Sequence, residues 1–570
     1  MPSVLSQDAV AARNSSLQPS RWVRAAGLWL VFFLLLIAAH ARMLRLPYFW
    51  DEAGYYIPAA RDLLGGSLIP HSTPSNAHPP LVMAWLALAW KLLGQSPLVT
   101  RIAMLALAAF SLAGFFRLAK AISNEPVAAA ATFLVAIYPV FFAQSSLAQV
   151  DLAAAGLIFW GLEAYFRKRR TGMAIWFSLA ALAKETAILV PLGLCLWEIL
   201  MLVFPSTRFE TAPQRTRRQA KETILLLIVP WIPLAAWYIY HHTHTGFVFG
   251  NPEFLRYNLQ GNLSPLRIAL AFLLRLWQTI GYLNLYLLSL ACVVAMKYSA
   301  QAISAGSKKI GMGAGDKYRP RIDVWIQFAL LTVTLVYLLA MSVLGGAVLA
   351  RYMLPIVPLI ILVCVSTIWR RLRFWKAVLA IVAASFIAAL VINPPYGFSP
   401  EDNLAYADYI RLHEAAENFI THQYPHARVL TAWPASDELS HPYLGYVQTP
   451  MKVVRIEDFT AEQLMAASDA RSNFDVALVF STKYQPPRSL FDRWRLWQEW
   501  KRRFFGYHID MSPGAAASIL GGELVYKDGR QGQWVGVIRV QRIEEAQLRG
   551  ITNALRPQAP ATASATADKN

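Results

Sequence analysis

Hydrophobic and polar positions in this chain fall into long blocks rather than alternating residue by residue. After a polar stretch at 1–24, residues 25–41 stay apolar over a length that spans a bilayer as a helix. Comparable runs cover 98–118, 127–142, 151–166, 224–240, 267–296, 324–344, 354–368 and 375–392. Another, at 173–203, is broken in the middle by Lys184 and Glu185 and reads as a helical hairpin. The pattern predicts roughly eleven spans. Residues 81–93 are apolar but short, which predicts a helix lying at the membrane surface or re-entering it. Ahead of them, 52–64 has amphipathic helical spacing, with Gly65-Gly66 as a stop.

Past Asn393 the blocks shorten. Helices are expected at 404–419, 439–446, 460–467 and 490–505, and strands at 428–432, 452–456, 475–481, 523–527 and 534–541. Strands interleaved with helices predict a small α/β domain with a largely parallel sheet over 394–555. An Ala/Thr/Pro-rich tail at 556–570 is expected to be disordered. The fold class is thus a polytopic α-helical membrane protein with a C-terminal soluble α/β domain. Its expected parts are a tail at 1–24, a membrane domain at 25–393 whose first outer loop is 42–97, the soluble domain and the final tail.

Composition agrees: 56% of the 570 residues are apolar and 15% charged, and the mean hydropathy is +0.37, which excludes a soluble protein. The net charge of +19 sits in short clusters such as 167–170, 205–221, 297–321 and 370–373. Basic clusters between apolar runs follow the positive-inside rule, whereas a nucleic-acid binder gathers them on one soluble face. Their order places the N-terminus in the cytoplasm and the C-terminal domain on the outer side of a plasma or inner membrane. No small-residue cleavage site follows the first run, so it is read as a retained span. Cys195, Cys292 and Cys364 all lie in apolar runs, so neither a disulfide framework nor a cysteine metal site is expected.

With that topology, the unusual polar residues share the outer side. Asp51 and Glu52 follow the first span among Tyr48, Phe49, Trp50, Tyr55 and Tyr56. His78 opens the short helix, Arg101 and Asp151 begin spans, and Lys184-Glu185 sit at an outer turn. His241, His242, His244 and Tyr257 fall in an outer loop, and Arg351-Tyr352 begin another span. Each alone has a bland reading: an aromatic belt, a neutralised interfacial pair, solvated loop histidines. HHTHTG lacks the i, i+4 spacing of a helical zinc pair. Gathered on one face, they predict a site. Arg101, Lys184 and Arg351 suit an anionic phosphate, and a carboxylate there can take a proton from an attacking hydroxyl or amine, or hold a cation.

WDEAGYY, HPPL, the span starting at Arg101, Asp151, LAKET and ARYMLPIVP, in that order, resemble the GT-C membrane glycosyltransferases. Within these, the chain is similar to the dolichyl-phosphate-mannose protein mannosyltransferase and aminoarabinose transferase superfamily over roughly 25–390. The resemblance implies a polyprenyl-phosphate sugar donor, an outer-face active site, and a lipid, glycan or protein acceptor. It implies that Asp51 acts as catalytic base or lies close to it, with Glu52 beside it and Asp151 in the same pocket, where in some relatives this acid helps bind a divalent metal ion. Tyr55, His78, Arg101, Lys184, Glu185, Tyr257, Arg351 and Tyr352 become candidate substrate contacts. His78 stands where the aminoarabinose branch has Lys and the mannosyltransferase branch has His. The rival class is a transporter or flippase of lipid-linked sugars, which would place ionisable groups near the bilayer midplane in two repeated halves.

Overall fold

The computed structural model describes residues 21–204, 216–252, 263–302, 318–344, 346–484, 486 and 494–540. The expectations for 1–20, for most of the basic loop at 205–221, for Tyr257 and for the tail lie outside them.

Among the described residues, six helical segments are long and apolar enough to cross a membrane: Ala25–Met43, Pro97–Ile122, Glu185–Val203, Arg217–Thr245, Pro265–Ala295 and Val324–Val343. The other apolar stretches form shorter pieces, which accounts for the difference from roughly eleven expected spans. Glu125–Ile137 stops before Pro139, and Val150–Phe166, Val357–Arg371 and Trp375–Val391 hold 17, 15 and 17 residues. Outward-facing Leu30, Val31, Leu34 and Leu35 on the first helix are exposed, as a lipid-facing stripe requires.

Local signals set the ends. Ser96 caps Pro97–Ile122 by accepting from Val99 N, and Asn124 caps Glu125–Ile137 in the same way. Pro at the first or second position of both helices fits that entry. The short apolar helix forms over Leu81–Leu93, and the hairpin break falls at Lys184, between Arg170–Ala183 and Leu189–Val203. HHTHTG departs from its expected loop. Its first five residues are the last turn of Trp231–Thr245, which ends at Gly246 in the left-handed conformation with φ 76°. A polar side chain does not stop a helix; a residue free to take positive φ does.

The C-terminal part holds one five-stranded sheet. Its strands are β1 Arg428–Ala432, β2 Lys452–Ile456, β3 Val476–Phe480, β4 Gly522–Arg530 and β5 Gln533–Val540, in the order β2-β1-β3-β5-β4. β1 runs parallel to β2 and β3, but β5 is antiparallel to both β3 and β4. The sheet is therefore mixed rather than largely parallel. β4 and β5 are joined by a tight turn at Gln531-Gly532, both at positive φ, and such a hairpin can only be antiparallel. The helix Pro513–Leu520, capped by Ser512, was not expected.

These two regions are not separate bodies. One hydrophobic cluster runs from Leu36 in the first helix to Val540 in β5. Tyr48 N donates to Leu444 O at 3.3 Å, and Tyr446 Oη donates to Tyr48 O at 3.0 Å.

Candidate functional site

Arg351 lies in the turn Ala350–Met353, after the helix Val324–Val343, and its side chain is buried. Nη2 pairs with Asp51, and Nη1 pairs with Glu401 and donates to Gln149 Oε1 at 2.8 Å. Nε stands 3.3 Å from Asp151 Oδ2. Asp151 sits in the first turn of Val150–Phe166, and its other oxygen takes a hydrogen bond from Lys184 Nζ. The Lys184 ammonium is 3.9 Å from the centre of the Tyr352 ring. Gln149 closes the circle by donating to Glu401 Oε2 at 2.8 Å.

Each of these residues sits at a helix end or in a turn. The helices Arg21–His40, Arg170–Ala183 and Val324–Val343 run towards the cluster, while Val150–Phe166 and Leu189–Val203 lead away. That polarity places the cluster at one end of the bundle. At the far end of Val150–Phe166, Glu163 is ringed by Arg117, Arg167 and Arg169 at 3.0, 2.9 and 3.5 Å.

Asp51 and Glu52 part company. The Asp51 side chain is 22% exposed and pairs with Arg351. Glu52 is fully buried and saturated: both its oxygens receive Arg101, Oε2 also takes Phe49 N at 2.8 Å, and Oε1 takes Ala148 N. Arg101 further donates to Ser146 O at 3.0 Å and Pro47 O at 2.8 Å. Lys184 and Glu185 divide as well. Lys184 turns to Asp151, while Glu185 Oε2 lies 2.9 Å from His78 Nδ1. The His78 ring stacks over Tyr56 at 6.0 Å. Tyr55 is half-buried, its ring 5.9 Å from Trp433. The buried His241 bridges Ser75 Oγ and Phe247 O at 2.7 Å each, which ties the first loop to Trp231–Thr245.

Sequence reading missed Glu401, Gln149 and Arg275. Glu401 and Asp402 follow the last apolar helix much as Asp51 and Glu52 follow the first, which is the signal that would have found them. Arg275, inside an apolar run, carries the ordinary warning of a buried charge; it donates to Leu349 O at 2.7 Å and lies 5.5 Å from the Tyr352 ring.

Burial raises the Glu401 carboxyl while Arg351 opposes it and Asp51 adds to the rise. Burial, then Glu401, push Asp402 up to about 7. Asp402 Oδ2 accepts from Tyr282 Oη at 2.6 Å, and Oδ1 has no partner, which suits a bound proton. Both Asp151 oxygens already face cations, so Asp151 as it stands does not fit the divalent ion implied by the family resemblance. Among the described residues, the grouping of three or more His, Cys, Asp or Glu donors close enough to share an ion is elsewhere, at His413, Glu417 and Glu438.

Over most of its length the chain is similar in structure to ArnT from Cupriavidus metallidurans in the apo state. That match has a TM-score of 0.51 and 13% identity, covering 90% of this chain and 98% of that one. The fold is the GT-C fold. Other GT-C structures found are ArnT bound to undecaprenyl phosphate (TM-score 0.49, 12% identity, 90% of this chain and 97% of that one) and the Archaeoglobus fulgidus oligosaccharyltransferase (TM-score 0.43, 12% identity, 79% and 67%). No family model matches the sequence, and neither does any curated protein.

Proposed function

We propose that this chain is an integral-membrane glycosyltransferase that moves a sugar from a polyprenyl-phosphate-linked donor to a lipid, glycan or protein acceptor at the outer face of the membrane. The observation that carries the reading is the Arg351 cluster: Asp51, Asp151 and Glu401 meet one buried guanidinium at one end of the bundle, and Asp151 also holds Lys184. The motif order and the GT-C fold support the donor class.

In this reading the acceptor oxygen or nitrogen bonds to the anomeric carbon of the sugar. The carbon–oxygen bond to phosphate breaks, and the polyprenyl phosphate leaves. Asp51, the most exposed of the clustered carboxylates, takes the acceptor proton. Lys184 and Arg351 face the leaving phosphate and stabilise its developing charge, each exchanging a carboxylate contact for a phosphate oxygen. Asp151 and Glu401 hold those cations in place. Glu52 and Arg101 are positioning residues, because both are buried and spend their bonds on each other and on the backbone at Pro47 and Phe49, just before Asp51, and at Ala148.

The test is to incubate purified protein with radiolabelled polyprenyl-phosphate sugars and membrane extract, and to identify the labelled product. Label on a new acceptor with wild type and none with Asp51→Asn is the expected outcome. Label that crosses a vesicle membrane still attached to its carrier would replace the enzyme with a flippase.

A further inference from the structure

Behind the first loop, in the C-terminal part, His413 and Glu417 stand one turn apart on the helix Ala405–Gln423, and Glu438 meets them from the short helix Ala435–Ser440. All three are buried, with side chains 1%, 0% and 0% exposed. His413 Nδ1 lies 2.6 Å from Glu438 Oε2 and 3.9 Å from Glu417 Oε1, and one donor atom of each residue falls within 4.8 Å of the others. Glu417 Oε1 and Oε2 and Glu438 Oε1 have no hydrogen-bond partner. Two carboxylates taken out of water beside a single ring N–H are under-compensated: something positive has to join them.

We propose that His413, Glu417 and Glu438 form a binding site for one divalent transition-metal ion, with zinc as the probe. An imidazole and two carboxylates are a three-ligand set used by such ions. Residues four apart on a helix present two of the donors on one face. With a neutral imidazole, the ion's charge and those of the carboxylates cancel, which leaves no net charge in the core. The ring that must aim Nδ1 is already fixed, with Tyr409 stacked on it at 4.0 Å and Phe480 at its edge at 4.5 Å.

Tyr409 also carries the consequence forward. Its ring packs on Phe49 at 5.2 Å and on Trp50 at 5.6 Å, immediately before Asp51. An ion joining the two helices therefore stiffens the wall behind the first loop. The site stands on its own donors and does not depend on the glycosyltransferase reading.

The experiment measures metal content of the full chain purified in detergent without added chelator, and the melting temperature with EDTA and with ZnCl2. Expected are about one ion per chain, a lower melting temperature after EDTA, and recovery on adding zinc. Glu417→Gln, which keeps the shape, is expected to lose both the ion and the zinc response. Wild-type protein that carries no transition metal and melts at the same temperature with zinc, with manganese and with EDTA overturns the site in favour of a proton shared between the two glutamates. So does Glu417→Gln that binds metal like wild type. The wild-type measurement decides the matter even if the variant fails to fold.

Discussion

Asp51 and Glu52 are neighbours in sequence with different surroundings, and the difference is testable. Asp51→Asn is expected to lower transfer by about 10²–10⁴-fold, the usual contribution of a general base, with an unchanged melting temperature. Glu52→Gln leaves Arg101 buried without its counter-charge, a defect that costs about 3–5 kcal/mol, so thermal unfolding in detergent is expected to shift sharply. Asp402 gives a pH signature. Its native carboxyl is held at about 7 against an ordinary 3.8, so the fold binds a proton that the unfolded chain releases. The associated stability is present below about pH 4, declines by roughly 1.4 kcal/mol per pH unit as pH rises towards 7, and is flat above. Unfolding of wild type against Asp402→Asn between pH 5 and 8 is expected to show a steeper decline in wild type than in the variant. The candidate residues brought together here were largely legible: Asp51, Asp151, Lys184, Arg351 and Tyr352 stood out as charges or aromatics at the ends of apolar runs. Glu401 did not: its place after the last apolar helix is a signal only beside the Asp51-Glu52 pair, and its partner is 50 residues away. Residue chemistry alone did not separate Asp51 from Glu52, since burial is decided by chain segments far from both; only the family resemblance ranked them.

Elements with a strong local signal came out of the sequence almost residue for residue, among them Leu81–Leu93 and the strands Arg428–Ala432 and Lys452–Ile456. Pro513–Leu520 escaped because its small residues give little periodic contrast. The helical segment after Asp51 carries its own constraint. It opens with a wide π turn, Glu52–Tyr56, before continuing as Ile57–Leu64, and Gly54 in that turn passes under the Trp433 indole. A methyl group on Gly54 would lie 2.6 Å from Trp433 Nε1, and the indole is held in turn against Trp50 at 5.2 Å. Gly54→Ala is therefore expected to destabilise the protein by about 1–3 kcal/mol through overpacking, and to disturb Asp51 with it. Pairing Gly54→Ala with Trp433→Phe should recover part of the loss, measured as melting temperature and transfer together.

At the scale of the molecule, the separation into a membrane part and a soluble part describes composition better than it describes packing. Residues from both share one core, and Glu401 crosses over to Arg351. Removal of 394–570 is expected to do more than silence an accessory. It strips the cover from Tyr48 and Phe49 and leaves Arg351 without one of its acids, so the truncated chain should aggregate on extraction, as seen by size-exclusion chromatography. A monodisperse truncated protein with full transfer would show that the shared core is dispensable.

The pairing of Asp51 with Arg351 joins positions 300 residues apart. During synthesis the first loop emerges early, while its guanidinium partner is still untranslated and Glu401 is later still. Until then Asp51 lacks the cation that neutralises it in the finished fold. A ribosome that stalls before codon 401 delivers a polypeptide with an open, charged seam, the kind of surface by which chaperones and proteases recognise unfinished products.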